Sequence, residues 1–445
     1  MRFMSEPNYP PVHVIGAGLA GSEAAWQLAI RNIPVRLYEM KPERHSPVHM
    51  LPGFAELVCS NSLRGNRLDT AAGLLKQELR GLGSLVIEAA DATRVPAGGA
   101  LAVDRALFSQ YITQKLSQHP MVTVVRGEVT SLDGMEHVVI ATGPLSEGAI
   151  AQEIAALVGS DTLSFFDAVA PIVTLESIDM TRAFRATRYD RGDADYINCP
   201  MTREEYTAFY QALVTAEVAP VHGEEDGVKV FEGCMPIEAM AQRGEKTIAY
   251  GPLRPVGLID PHTGRKPYAV VQLRQDDKAG TLYNLVGFQT RLKFPEQRRV
   301  FSMIPGLEHA EFVRYGVMHR NTYINSPGIL NEHYQLLSRP DIFFAGQMTG
   351  VEGYVESVGS GMVAGISMAC RLQGAPMPQL GPETMLGAMA RYISSPATTK
   401  LEPMNANFGL LPPLEERIRD KKKKALAMAR RSLNSLGLPV PEGQI

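Results

Sequence analysis

The chain has 445 residues, 45% of them hydrophobic and 20% charged, enough for more than one domain with its own core and ordinary for a globular protein. No apolar run reaches a bilayer span, no charged-then-apolar start predicts a signal peptide, and the four cysteines show no CxxC spacing that would predict a disulfide framework or a zinc site. With 44 basic against 47 acidic residues the net charge is -3, which excludes a generally basic nucleic-acid binder and leaves room only for a local basic surface.

In chain order, Val12 to Ile15 is a short β-prone run. It leads into GAGLAG, residues Gly16, Ala17, Gly18, Leu19, Ala20 and Gly21, followed by a helix-prone stretch from Ser22 to Arg31. Val35 to Tyr38 returns as a strand ending in Glu39, about 20 residues beyond the glycines. Gly16 permits a tight turn, Gly18 lets backbone approach a pyrophosphate, and Gly21 allows close helix–strand packing. The helix N-terminus offers N–H groups to the anion, and Glu39 can accept ribose hydroxyl protons while repelling a 2′-phosphate. This predicts a dinucleotide site for FAD or NAD rather than NADP.

Next comes AELVCSNSLRG, Ala55 to Gly65, which puts Cys59 in a polar, Gly-containing loop just past that unit. From residue type alone the thiol is open to packing, redox chemistry or catalysis. A helix is predicted over Leu68 to Leu82, and another starting at Asp104 as N-cap with Leu107, Phe108, Tyr111 and Ile112 on its apolar face. Met121 to Val125 reads as a strand, and so does the run from His137 that ends in Ala141-Thr142-Gly143. From about Asp161, β-prone pieces such as VAPIVTLESID, PYAVVQLRQ and LYNLVGFQT alternate with Pro and Gly.

The expected fold class is therefore α/β: a Rossmann-like dinucleotide-binding domain over residues 1–160 and 340–445, with a smaller α+β domain inserted at 161–339. Near the end, IFFAGQMTGVEGYVESVGSGMVAG reads as strand, Gly-rich turn and helix, with Gly346, Gln347, Gly353 and Tyr354 as candidate flavin contacts. A return to the nucleotide domain this late favours FAD over NAD. Basic residues concentrate at Lys421 to Lys424 with Arg430 and Arg431, at Arg291, Lys293, Arg298 and Arg299, and at Arg314, His319 and Arg320. Tyr315 and Tyr323 lie among them and are candidates to stack on bases.

Ten blocks, among them GAGLAGSEAAWQLA, AELVCSNSLRG, FEGCMPIE, GPLRPVGLIDP, LVGFQTRLKFPEQ and GVEGYVES, taken in order from Val12 to about Phe408, resemble the TrmFO family of folate- and FAD-dependent tRNA uracil-5-methyltransferases. The resemblance implies an FAD-binding Rossmann-like fold with an insertion domain in a cytoplasmic enzyme. It also implies methylation of carbon 5 of the T-loop uridine (U54) of tRNA, with 5,10-methylenetetrahydrofolate as carbon donor, reduced FAD as reductant and NAD(P)H to re-reduce it. By the same resemblance Cys234 is the attacking thiol and Cys59 a catalytic thiol beside the flavin. No membrane and no metal are expected. For a folate's anionic tail, Arg94, Arg105 and Lys278 are equal candidates. A wobble-uridine-modifying flavoprotein of the larger glucose-inhibited-division group and a small-molecule FAD oxidoreductase are the competing expectations.

Overall fold

The computed structural model describes residues 9–46, 48–159, 163–190, 194–220, 235–398 and 401–441. The chain opens as β1 (Val12–Ile15), α1 (Leu19–Ala29) and β2 (Val35–Glu39). The Cys59 loop leads into β3 (Ser62–Gly65), then α2 (Ala71–Gly81) and α3 (Leu85–Ala92). A short antiparallel sheet of order β3-β5-β4 follows from β4 (Arg94–Val95) and β5 (Ala100–Val103). Next come α4 (Arg105–Ser117), β6 (Val122–Arg126), β7 (Val138–Ile140) and α5 (Gly148–Val158).

Local chemistry sets several of these boundaries. α2 starts three residues later than its sequence predicts, because the Thr70 hydroxyl caps it by accepting the Gly73 N–H at 3.1 Å. Asp104 caps α4 as expected, taking the Leu107 N–H at 2.9 Å. Leu107 itself faces outward at 38% exposure, so the buried face of α4 is carried by Phe108, Ile112 and Leu116 instead.

Past α5 the chain leaves through β8 (Leu163–Ala168) and builds a second core. Its strands are β9 (Ile172–Thr174), β10 (Phe184–Arg185), β11 (Tyr196–Met201), β12 (Ala269–Gln275), β13 (Leu282–Leu285) and β14 (Phe312–Arg314). They pair in the order β10-β11-β12-β13-β9-β14, antiparallel throughout. The helices α6 (Arg203–Val214), α7 (Ile237–Gln242), α8 (Glu245–Tyr250) and α9 (Phe294–Phe301) bury Tyr206, Phe209, Ile248 and Phe301 in the same core. The chain returns through β15 (Met318–Tyr323), which pairs antiparallel with β8 from Met318 opposite Ala168 to Tyr323 opposite Leu163.

The last segment, β16 (Ile342–Phe344), α10 (Tyr354–Gln373), α11 (Met385–Ser394) and α12 (Lys421–Ser435), rejoins the first core. β16 completes a five-stranded parallel sheet of order β16-β7-β1-β2-β6. An α/β Rossmann-like unit interrupted by a smaller α+β unit is thus the architecture. α10 lies directly against α1. A Cβ on Gly361 would stand 2.2 Å from the Ala20 carbonyl oxygen, and one on Gly365 would stand 2.7 Å from that of Ala24. Only residues without a side chain let the two backbones meet so closely, and this brings both helix N-termini to one place.

Candidate active site

The carboxyl ends of β1, β2, β7 and β16 open into a cleft of about 490 Å³. This is where an open parallel sheet gathers ligand contacts. Gly16 to Ala20, Glu39, Ala141 to Gly143, Gly346, Gln347, Gly353, Tyr354 and Cys59 all line it. Gly21 does not line it. It sits underneath, where a Cβ would be 1.8 Å from the Gly16 carbonyl oxygen, and so it shapes the turn rather than touching a ligand. Cys234 lies outside the described residues.

Two helices, α1 and α10, begin at this cleft with Gly18 and Gly353 as their N-caps, and neither has a side-chain cap among the described residues. Their leading N–H groups and dipoles therefore favour negative charge in the space they face. Above Gly18 that space is open, since nothing described comes within 4 Å of where a Cβ would be. Glu39 is 7% exposed and held from both sides, one oxygen taking the Ala17 N–H at 3.2 Å and the other the Lys41 N–H at 3.0 Å. A carboxylate has lone pairs to spare after two such bonds, so it can still accept two ribose hydroxyls. An unobstructed anion site at one helix start, an oriented acid beyond it and a second helix start opposite make a fitting cradle for FAD.

Cys59 meets Tyr354 across the cleft. The Tyr354 hydroxyl oxygen lies 2.8 Å from Cys59 Sγ, accepts the Cys59 N–H at 2.8 Å and the Ser60 N–H at 3.3 Å. With two N–H groups arriving at its oxygen, the phenol has its own proton to offer to the sulfur. Burial, then the neighbouring thiol, pushes the Tyr354 phenol well above 10, so it stays protonated and remains a donor.

The thiol's loop is fixed by two buried arginines. Arg105 pairs with Asp276 at 3.0 Å and donates to the carbonyls of Leu57 at 2.5 Å and Val58 at 3.2 Å. Arg274 donates to Asn61 Oδ1 at 2.9 Å and Ser60 Oγ at 2.7 Å. Arg105 is therefore committed to the protein and is not the receptor for an anionic tail. Arg94 and Lys278 are exposed and do not line the cleft. Arg44, Arg64 and Arg274 do line it.

Arg64 has φ +64°, uncommon for a residue with a side chain. The carbonyls on either side of it, Leu63 and Gly65, both accept from Lys76 Nζ, at 2.7 and 2.8 Å. Lys76 is fully buried on α2, and burial draws its amine down to about 7. Its signal in the sequence is a lone lysine at an apolar-face position between Ala72, Leu75 and Leu79. A further residue missed by the sequence is the buried Glu352, which joins Tyr323 and the half-buried Gln347 at the β15–α10 side. There Tyr323 donates to Glu352 Oε2 at 2.5 Å, and Gln347 Nε2 reaches both Tyr323 Oη at 2.9 Å and Glu352 Oε2 at 2.8 Å. Tyr323 is thus 0% exposed and cannot stack on a base, contrary to its expected role.

The other candidates disperse. Cys199 is buried and desolvation raises its thiol far above the usual range, making it inert. The side chains of His319 and Arg320 lie outside the described residues. Lys421 to Lys424 are exposed on α12, whose opposite face packs on the first core through Met428, Ala429 and Leu433. Lys293, Arg298 and Arg299 belong to the α9 region of the second core, so the two basic runs stand on different units.

The family model for glucose inhibited division protein A matches residues 11–376 of this chain. A relative from Staphylococcus aureus (strain JH9), methylenetetrahydrofolate–tRNA-(uracil-5-)-methyltransferase TrmFO, is 59% identical over 427 residues, covering 96% of this chain and 98% of its own. Among solved structures, GidA of Aquifex aeolicus is similar in fold. One crystal form gives a TM-score of 0.69 at 16% identity over 99% of this chain and 75% of that one. The other gives 0.67 at 17% identity, over 98% and 77%.

Proposed function

This chain belongs to the glucose inhibited division protein A family, in its methylenetetrahydrofolate–tRNA-(uracil-5-)-methyltransferase branch, and we infer from that membership what its cleft does. The protein is an FAD-dependent transferase that methylates carbon 5 of the T-loop uridine of tRNA, taking the carbon from 5,10-methylenetetrahydrofolate. The single observation that carries this is the 59% identity sustained over 96% of the chain. A cytoplasmic setting, where tRNA and reduced folate are available, belongs to the same reading. Among the described residues no helix is long and apolar enough to cross a membrane.

In this reading Gly16 to Ala20 and the start of α1 hold the FAD pyrophosphate, and Glu39 its ribose. Ala141 to Gly143, Gly346-Gln347 and Gly353-Tyr354 line the remainder of its site, and Gly21 keeps the turn tight from below. FAD, when bound, supplies the electrons, drawn from NAD(P)H, that bring the donated methylene to the methyl level. Carbon 5 of uracil is a poor nucleophile until something adds at carbon 6. The Cys234 thiolate makes that addition, a thiol being both nucleophilic and a good leaving group. Once carbon 5 has bonded the one-carbon unit, its proton passes to Cys59 as thiolate, which the Tyr354 hydroxyl steadies by donation. The bond from that unit to the tetrahydrofolate nitrogen breaks with the amine as leaving group. The electron pair and proton that bound reduced FAD would supply complete the methyl group, and Cys234 leaves as thiolate when the C5–C6 double bond re-forms. What supports a place for Cys234 here is its neighbourhood in sequence: the Ile237 N–H donates at 2.7 Å to the carbonyl of Gln289, a residue lining the cleft.

The test combines the protein, unmodified tRNA, NADH and methylenetetrahydrofolate labelled in its one-carbon unit, with mass spectrometry of the digested RNA. Labelled 5-methyluridine in the T-loop fragment is expected. An FAD-loaded protein that leaves the RNA unchanged would refute the RNA half of the reading.

A further inference from the structure

An aromatic stack runs from the second core to the surface. Phe288 meets Phe301 edge-on at 5.3 Å, and Phe301 meets Phe312 at 6.4 Å. Phe312 lies nearly parallel to Tyr315, 5.4 Å away with 14° between planes, and Tyr315 to Phe294, 4.9 Å away with 20° between planes. The inner rings are covered on both faces. Phe294, the outermost, is 52% exposed at the start of α9, although a side chain of that size is normally buried.

The surroundings of that ring are charged. Arg298 donates to the Tyr315 hydroxyl at 3.1 Å and so stays beside the stack. Lys293 pairs with Glu217 at 2.6 Å between two exposed side chains, where such pairs hold weakly, and the exposed Arg299 pairs with the half-buried Glu296 at 2.6 Å. Lys293, Arg298 and Arg299 thus flank the aromatic face among the described residues. The segment that carries Phe294 starts at the cleft. Gln289, five residues before Phe294, lines it. Arg314, next to Tyr315, donates at 3.2 Å to the carbonyl of Val48, the residue before the cleft-lining His49.

We propose that Phe294 is a stacking platform for an unpaired base of the tRNA substrate, with Arg298 and Lys293 meeting the adjoining phosphates. This deepens the function proposed above and rests on it. Loop bases in RNA splay out and stack on aromatic faces, and a ring already backed by two parallel rings needs no reorganisation to receive one. Tyr315, flanked on both sides, serves as the backing ring rather than as the contact.

The experiment measures tRNA affinity and the KM for tRNA of wild type, Phe294→Leu, Phe294→Trp and Arg298→Gln, with FAD content as the check on folding. Phe294→Leu keeps the apolar bulk and loses the π-face, so affinity should fall roughly tenfold or more while Phe294→Trp retains it. Arg298→Gln should weaken binding and reduce the salt slope by about one. A Phe294→Leu protein that binds tRNA like wild type overturns the proposal. So does a change in oligomeric state at unchanged tRNA affinity, which would make the ring a protein contact. A wild-type protein that binds no tRNA overturns instead the function on which the proposal rests.

Discussion

The hydroxyl of Tyr354 and the thiol of Cys59 are 2.8 Å apart although 295 residues separate them in the chain, and the same hydroxyl takes the Cys59 backbone N–H. One buried phenol thus fixes both the position of the cysteine and the direction from which a proton reaches its sulfur. α10 supplies the tyrosine and the loop before β3 supplies the cysteine.

Tyr354→Phe keeps the ring and removes the hydroxyl, leaving the Cys59 and Ser60 N–H groups short of a partner. Each lost buried bond costs about 1–3 kcal/mol. The expected result is a tenfold or greater drop in kcat with FAD still bound and an altered pH profile of methyl transfer. Unchanged kcat and profile would remove Tyr354 from proton handling.

Wild-type protein should form a covalent protein–RNA adduct on denaturing gels, and Cys234→Ala should abolish it while FAD content stays normal. Persistence of the adduct would sink the nucleophile assignment. Cys59→Ala, by contrast, should lose turnover and disturb flavin binding. Normal turnover in that variant would count against a catalytic Cys59.

Glu39→Ala strips the acceptor from two backbone N–H groups and removes the carboxylate proposed to hold the ribose. FAD content after purification, read from flavin absorbance, should drop sharply, with roughly tenfold or more loss of affinity expected for a charge-assisted contact of this kind. Full FAD occupancy in Glu39→Ala would show that the nucleotide is held elsewhere.

Stability should vary with pH in two windows of opposite sign. Burial raises the Glu78 carboxyl from 4.5 to about 7, so the fold binds a proton there that the unfolded chain releases. The stability this contributes is present below pH 4.5 and lost as pH rises through 7. Burial likewise raises Glu23 to about 7. Lys76 acts oppositely: lowered by burial from 10.5 to about 7, it makes stability rise with pH across that upper interval. Glu78→Gln should flatten the lower window, its share being on the order of 3 kcal/mol. Lys76→Met should flatten the upper one. Melting temperatures from pH 4 to 10 would test both, and slopes identical to wild type would contradict the assignment.

Patterns local in sequence were legible from the chain alone. The strand–GxGxxG–helix–strand run with its terminal Glu39 needs only a two-residue strand period, a glycine turn and an acid at a set spacing, and all of it folds as expected. The late strand and glycine-rich turn likewise announced a return to the nucleotide domain, as β16 and α10 show. What sequence could not decide were pairings across long separations. Lys76 holding the carbonyls beside Arg64, Arg105 turned inward to Asp276, and Tyr354 on Cys59 depend on which elements pack together. Tyr315 and Tyr323 read alike among their basic neighbours, yet one backs a surface stack and the other is sealed beside Glu352. Composition states what each side chain is able to do. Burial and the partner brought to it by tertiary packing decide which of those abilities remains, because desolvation and a committed hydrogen bond remove a group from the chemistry it would otherwise offer.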